Sequence, residues 1–379
     1  MVLRYRLAGM HHNEHMILIA SDAFKGTIGS LEVAQSLRGP CEEAGFPVTV
    51  LPLADGGEGT VDALVTCGYE AHQVEVTGPL GQPVTARWAS LRDTAEVAAG
   101  GTQGGTADGA QGGTAVIEMA QASGLHLVDP SPQTAWDAHT YGTGELIAHA
   151  IEYGCARIVV GVGGSATSDG GRGALRAVKE AGVDTSGVAF TVACDVDNPL
   201  TGPRGAAEVF GPQKGADRAT VARLEERLAR WADQLDPTGR VWDLPGAGAA
   251  GGLGFALMAG LGANRVSGAE FVLSAVGFDE QLERASVVVT GEGQFDEQTL
   301  GGKGPGTVIV RAGEAGVPVI VVCGQATLRA GAEVAEVFAL TDLAPVQQCI
   351  AEPGRVLKEV GYALAATVRD RGFCDGTSQ

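Results

Sequence analysis

The sequence predicts an α/β protein of two domains, one discontinuous and built on a parallel sheet, the other inserted into it. Three observations lead there. Short apolar runs alternate with helical periodicity at both ends of the chain, these runs lead into glycine-rich loops, and the middle changes its pattern. Strand–loop–helix units repeated in this way build a parallel sheet whose ligands gather at the strands' carboxyl ends. The expected division is residues 16–60 with 285–379 as one domain, and 61–284 as an inserted α/β domain with a mixed sheet.

Ile17–Ala20 reads as a buried strand ending in Ser21-Asp22, and Ser30 as the cap of a helix running to Arg38 or beyond. Val48–Leu53 is a second strand that enters Asp55-Gly-Gly-Glu-Gly59, and Thr60–Val65 opens the next helix. Gln73–Val76 and Val84–Ser90 alternate with period two around Thr77-Gly-Pro-Leu-Gly81, which predicts a hairpin. Residues 93–113, dominated by Gly, Thr, Ala and Gln without periodicity, are expected to form a mobile surface loop. Strands follow at Thr114–Met119, Arg157–Val160 and Phe190–Ala193, with a helix at Gly142–Tyr153. The opening pattern then returns: strand Ala285–Thr290 into Gly291-Glu-Gly, helix Val308–Ala315, strands Val317–Cys323 and Val337–Leu340, and a closing helix over 353–369. Residues 1–15 lack the long apolar stretch and cleavage site of a signal peptide and are expected to be a poorly ordered extension.

The 379 residues carry a net charge of −19 and include 58 glycines, a content that calls for many tight loops. No basic stripe suits nucleic acid or an anionic membrane, and no apolar run reaches the ~18 residues of a membrane span. Seven scattered cysteines without a C-x-x-C pair argue against a disulfide framework or zinc site and fit a reducing cytoplasm. Nothing in the sequence fixes an oligomeric state.

Positive charge comes mainly from 21 arginines; only five lysines occur, and three adjoin glycine: Lys25-Gly26, Lys214-Gly215 and Gly302-Lys303-Gly304. Near them in the expected loop set stand two acidic glycine turns, Asp55–Gly59 and Gly291–Asp296. Ammonium groups, accessible backbone N–H groups and carboxylates together are what a Mg-nucleotide site requires.

The P-loop signature is absent, because Glu297 stands where it needs glycine, six residues before Lys303. Gly246-Ala-Gly-Ala-Ala-Gly251 matches G-x-G-x-x-G but follows Asp243-Leu-Pro245 rather than a strand, so it reads as a glycine-rich helix start. Gly161–Gly171 does follow a strand; its glycines let backbone close on phosphate, and Ser165, Thr167 and Ser168 offer hydroxyls. Asp169 could reach a metal or cap the helix opening near Gly173. Asp195 and Asp197 project the same way if the preceding strand persists, where they could bind Mg²⁺ or accept a hydroxyl proton; the alternative is an Asx-turn before Asn198-Pro199. No Ser-His-Asp or Cys-His arrangement stands out among the seven histidines.

At these segments the chain resembles a family. Ser21-Asp-Ala-Phe-Lys-Gly26, Ala54–Thr60, Gly163–Gly171, Ala193-Cys-Asp-Val-Asp-Asn-Pro-Leu200, Phe210-Gly-Pro-Gln-Lys-Gly215, Leu244–Gly254, Thr290-Gly-Glu-Gly-Gln-Phe-Asp296 and Thr299–Lys303 are similar, in order, to the bacterial glycerate kinases of the glyoxylate-pathway class. The resemblance implies a flavodoxin-like domain with a second α/β domain inserted. It also implies ATP-dependent phosphorylation of D-glycerate, with Mg²⁺, at the 2-hydroxyl to give 2-phosphoglycerate. A 3-phosphoglycerate-forming enzyme, a kinase of another small hydroxy acid and a non-catalytic ligand-binding protein stay open at this point. Two departures accompany the likeness: Arg172–Val188 is abbreviated and Asp93–Gly113 expanded.

Carried onto this chain, Lys25 and Lys303 are candidates for neutralising phosphate or gripping the carboxylate, and Asp195 for orienting or deprotonating the acceptor hydroxyl. Asp55 and Asp296 are the metal candidates. Asp22, Phe24, Gly56, Gly57, Glu58, Gly163, Gly164, Ser165, Thr167, Asp169, Asp197, Asn198, Lys214, Gly251, Gly252, Gly291, Glu292 and Gly293 are the expected substrate and nucleotide contacts.

Overall fold

The computed structural model describes residues 16–24, 26–92, 112–300 and 304–374. The expected N-terminal extension, nearly all of the 93–113 loop, and both Lys25 and Lys303 therefore lie outside the described residues.

The chain divides into two compact units, one made of the residues up to Pro52 together with those from Gly277, the other of Leu53–Val276. The boundaries expected near 60 and 285 thus fall eight residues earlier on each side, so that Asp55–Gly59 and the helix Thr60–Thr66 belong to the inserted unit. The physical reason is local. The first residues of that helix are pinned to the inserted sheet, where the Val61 N–H donates to the buried Glu118 carboxylate.

The discontinuous unit is a five-stranded parallel sheet of β1 (Met16–Ser21), β2 (Val48–Pro52), β9 (Ala285–Phe295), β10 (Val319–Ala326) and β11 (Glu336–Ala339). Its order is β2-β1-β9-β10-β11. Counted within the unit this is 2-1-3-4-5, the flavodoxin-like order, whose switch point lies between β1 and the third strand. Ile17, Ile19, Val287, Val289, Ile320 and Val322 share a core with Val33 and Leu37 of the helix Ser30–Glu43 and with Val360 and Leu364 of the helix Pro353–Asp370. Leu18, Val288 and Val321, the intervening residues, are as fully buried. A parallel strand covered on both faces must be apolar throughout, which is why these strands read as unbroken runs.

Two local expectations change here. Ser30 is the first helical residue rather than the cap; Glu32 reaches back to the Gly29 N–H, and the Ser30 hydroxyl donates to the Ser21 carbonyl at 2.8 Å. The Gly291-Glu-Gly segment is not a turn, since β9 continues through it to Phe295 alongside β10. A Cβ on Gly291 would meet the Val322 carbonyl oxygen at 1.7 Å, so glycine serves sheet packing at that point.

The inserted unit holds a six-stranded sheet whose strands lie side by side in chain order. β3 (Glu70–Thr77) and β4 (Pro83–Leu91) form the expected antiparallel hairpin, and β4 pairs antiparallel with β5 (Thr114–Glu118). β5, β6 (Arg157–Gly161), β7 (Ala189–Ala193) and β8 (Asn264–Val266) run parallel. The loops after β5, β6 and β7 therefore leave from one end of the sheet. Ile117, Ile158, Val160 and Val192 pack against Leu146, Ile147 and Leu253 from the covering helices. A satellite core of Leu200, Val221, Leu224, Leu228 and Phe255 forms beneath the helix Arg218–Leu235.

In the abbreviated stretch the helix Arg172–Ala181 ends on left-handed Gly182 and the chain turns directly into β7. That helix crosses the helix Tyr141–Glu152 at Gly144, where an added Cβ would come within 2.3 Å of the Ala174 carbonyl oxygen. Gly144→Ala is expected to lower the free energy of unfolding by about 1–3 kcal/mol through overpacking. The urea midpoint measures it, and an unchanged midpoint would refute the close crossing.

Candidate active site

In the inserted unit, three loops converge backbone to backbone at the carboxyl ends of the parallel strands. Residues 55–59, 161–171 and 193–195 meet so closely that side chains would separate them. A Cβ on Gly163 would fall 2.5 Å from the Gly57 Cα, and one on Gly161 would fall 2.1 Å from the Gly56 carbonyl oxygen. Gly56 itself lies against the Ala193 carbonyl and Gly268. Exposed Glu58 completes the acidic turn.

The turn begins with half-buried Asp55, whose Oδ1 accepts the Gly57 N–H at 3.1 Å. Beside it stands Asp195. Its Oδ1 accepts from the Ser267 hydroxyl at 2.6 Å and the Gly268 N–H at 2.8 Å, and its Oδ2 accepts from the Ala269 N–H at 3.1 Å. Asp195 thus receives the first N–H groups of the helix Gly268–Ala275. Burial pushes its carboxyl above the usual carboxylate value and the Asp55 charge adds to this, while the Ser267, Ala269 and Gly268 donors pull the other way. Among the described residues, neither carboxylate is bonded to a cationic side chain.

Asp197 does not join this pair. β7 ends at Ala193, so the two-residue period lapses before Asp195, and exposed Asp197 turns to Arg265 at 2.7 Å. The Asn198 amide donates to the Arg204 carbonyl at 2.8 Å.

Several residues expected to touch ligand hold the loop after β6. Lys214 is 2% exposed, and its Nζ donates to the Ser165 hydroxyl at 2.9 Å and the Thr167 carbonyl at 2.6 Å. The Thr167 hydroxyl is turned to the Ala250 carbonyl at 3.3 Å. Asp169 accepts from Thr140 N–H and hydroxyl and from the Gly171 and Gly173 N–H groups, which makes it the cap of the helix after the loop. Gly164 is exposed, and its carbonyl accepts from the Leu125 N–H. Gly251 and Gly252, both at positive φ, support the loop from behind; a Cβ on Gly251 would stand 2.0 Å from the Thr167 carbonyl oxygen. The glycine-rich helix start expected from residues 246–251 is therefore a brace for the loop after β6.

Glu118 carries no glycine motif and is absent from the sequence-based site. It is 1% exposed, binds the Val61 N–H and accepts from the Gln121 amide at 3.2 Å. Burial raises its pKa, and the bonds from Val61 and Gln121 oppose that shift. Its place as the last residue of β5, opposite Gly161, is the signal that marks it.

In the discontinuous unit, the switch point joins Asp22 and Gly291: the Asp22 N–H donates to the Gly291 carbonyl at 2.9 Å and the Ser21 hydroxyl donates to the same oxygen at 3.1 Å. Half-buried Glu292 and Gly293 follow in β9. Phe24 is 3% exposed and packs in the core with Ile17 and Val33. Asp296 accepts from the Gln294 amide at 3.1 Å, and its own N–H donates to the Thr299 hydroxyl. Asp55 and Asp296, the two metal candidates, belong to different units. No group of three or more His, Cys, Asp or Glu side chains suited to a metal occurs among the described residues.

The buried ammonium of Lys214 makes stability depend on pH. Burial pushes its pKa down to about 7 from 10.5. Below about pH 7 the folded chain must hold a buried charge; above it Lys214 is neutral when folded but still protonated when unfolded. The unfolded state then binds the extra proton, so stability rises with pH by at most about 1.4 kcal/mol per unit. Between pH 7 and pH 10 the wild type is expected to gain stability relative to Lys214→Met, measured by urea unfolding at each pH. A constant difference would show that the lysine is not buried as a base.

Comparison with known proteins gives the family. The sequence profile of the Glycerate kinase family matches residues 17–188 and 178–369, two pieces that meet in the abbreviated stretch. A glycerate kinase of Bacillus subtilis (strain 168) is 41% identical over 342 residues, covering 82% of this chain and 85% of the relative. A glycerate 2-kinase of Escherichia coli (strain K12) is 40% identical over 345 residues, with the same coverage. The crystal structure of a candidate glycerate kinase 2 from Salmonella typhimurium LT2 superposes with a TM-score of 0.75 at 35% identity, over 95% of this chain and 99% of that one. The chain belongs to the glycerate kinase family.

Proposed function

We propose that this ATP-dependent kinase transfers the γ-phosphoryl group to the 2-hydroxyl of D-glycerate, giving 2-phosphoglycerate. The observation that carries the reading is the meeting of Asp55 and Asp195 among glycine loops at the carboxyl ends of parallel strands. The likeness to a relative named glycerate 2-kinase supports the choice of hydroxyl.

Phosphoryl transfer depends on positioning and charge neutralisation more than on covalent chemistry. The backbone N–H groups of Gly56, Gly163 and Gly164 supply donors where phosphate can approach without side-chain interference. Asp195, fixed by three donors, orients the acceptor hydroxyl and accepts its proton. Two neighbouring carboxylates fit a hard divalent cation, which commonly takes one or two such ligands together with phosphate oxygens. Asp55 would hold Mg²⁺, which when bound offsets phosphate charge; Asp296 stays a second ligand by resemblance alone. Lys25 and Lys303 enter by the same resemblance, as cations on the transferring group. Asp22, Glu292 and Gly293 remain binding candidates at the flavodoxin-like switch point. A cytoplasmic location accords with seven scattered cysteines that lack a C-x-x-C pair, and no helix among the described residues is long and apolar enough to cross a membrane.

Incubation with Mg-ATP and D-glycerate is expected to yield 2-phosphoglycerate, identified by phosphorus NMR. Formation of 3-phosphoglycerate would overturn the regiochemistry, and no phosphorylated product would overturn the substrate. Lys303→Met is expected to lower kcat by about 100-fold or more, as loss of a charge-stabilising donor does. Turnover within a few-fold of wild type would remove Lys303 from the mechanism.

A further inference from the structure

Five arginines of the inserted unit are gathered in one place. A cavity of about 720 Å³ opens between the helices Arg172–Ala181 and Arg218–Leu235, and five guanidiniums line it: Arg172, Arg176, Arg223, Arg227 and Arg230. Three carboxylates share the lining, but Asp169 is committed to its cap, Glu226 to Arg230 at 2.9 Å, and Asp137 accepts from the Gln133 amide. In a chain of net charge −19 this is a concentration of positive charge to which the roles proposed above assign no part.

The guanidiniums are also pre-positioned. Arg223 and Arg227 stack on Trp136 at 4.1 and 4.3 Å, Arg172 lies over Trp231 at 5.4 Å, and Arg176 over Tyr141 at 4.7 Å. Arg227 donates to the Trp136 and Ser168 carbonyls, both at 2.7 Å, while its Nε is buried and has no partner. Planar forks held on aromatic faces lose little freedom on meeting an anion, and they match phosphate oxygens in pairs. The volume suits a small molecule, and the indole walls suit an organic body rather than a bare ion.

We infer that this cavity is a binding site for a small organic phosphate, distinct from the Asp55 and Asp195 pair to which phosphoryl transfer was assigned above, with Asp169 of the loop after β6 standing in its wall. The separateness, though not the binding, rests on that assignment. The cavity wall grips the loop after β6: Arg227 holds the Ser168 carbonyl and the Trp231 Nε1–H donates to the Gly170 carbonyl at 2.9 Å. An anion that engages Arg227 therefore acts on the backbone of a loop proposed to touch ATP or glycerate.

The test is calorimetric titration of the full chain with inorganic pyrophosphate, without magnesium, nucleotide or glycerate. Saturable binding in the wild type is expected to weaken at least tenfold in the double variant Arg176→Gln, Arg223→Gln, while kcat and the KM for ATP stay within about twofold. Should the double variant fail to fold, Arg230→Gln alone is expected to weaken binding at least threefold. No saturable binding to the wild type, or equal affinity in the folded variant, would overturn the site. Loss of turnover in step with loss of binding would make the cavity part of the transfer machinery and overturn its separateness.

Discussion

The loop after β6 owes its shape to contacts that only bare backbone permits. It is pressed from one side by Gly56 and Gly57 and from the other by Gly251, at separations that leave no room for a Cβ. Each approach places peptide groups where a side chain would otherwise stand, and peptide groups need hydrogen-bond partners when water is excluded. Some partners come from within: Lys214 supplies donors to Ser165 and Thr167, Arg227 to Ser168, Trp231 to Gly170. The loop is thus braced before any ligand arrives, which suits a reaction governed by positioning.

This bracing engages residues whose chemistry points to a ligand. Lys214 and Asp169 have the charges expected of a nucleotide site, yet each has its polar atoms engaged by the chain itself. A buried lysine beside an acidic cap costs desolvation energy that polar contacts must offset. Its carbonyl and hydroxyl partners do so by fixing a loop that lacks the side chains to fix itself. Asp195 combines both tasks, receiving the start of one helix while standing beside Asp55.

Much of the fold was legible because apolar runs and glycine loops alternate with little noise. The hairpin, the parallel strands and the paired ends of the chain follow from periodicity. What escaped did so for identifiable reasons. β9 runs on through Gly291-Glu-Gly because pairing with β10 outweighs the turn preference of glycine, a tertiary effect that local composition does not carry. The helix Arg218–Leu235 has a clear start, with Asp217 accepting the Thr220 N–H, and an apolar stripe of Val221, Leu224 and Leu228. A reading led by glycine loops passes over it because it contains none. The site was legible as a set of loops but not as a set of roles: Asp195 and Asp197 are equivalent in spacing and part company only because the strand stops two residues short of the first.

The same argument separates the two kinds of positive charge. A lysine head group is compact, so burying Lys214 against one hydroxyl and one carbonyl oxygen satisfies it with few partners. A guanidinium is wide and planar, and no loop of this size could enclose five. Arg223 and Arg227 recur one helical turn apart, and Arg230 and Trp231 follow on the same side of the helix, so the stripe is fixed by the 3.6-residue period. Such a row either pairs with acids along its own helix, as Arg230 does, or is held open on aromatic rings, as Arg223 and Arg227 are. For Arg223 the second arrangement leaves the outer N–H groups directed at solvent or at an anion, whereas those of Arg227 are taken by the Trp136 and Ser168 carbonyls.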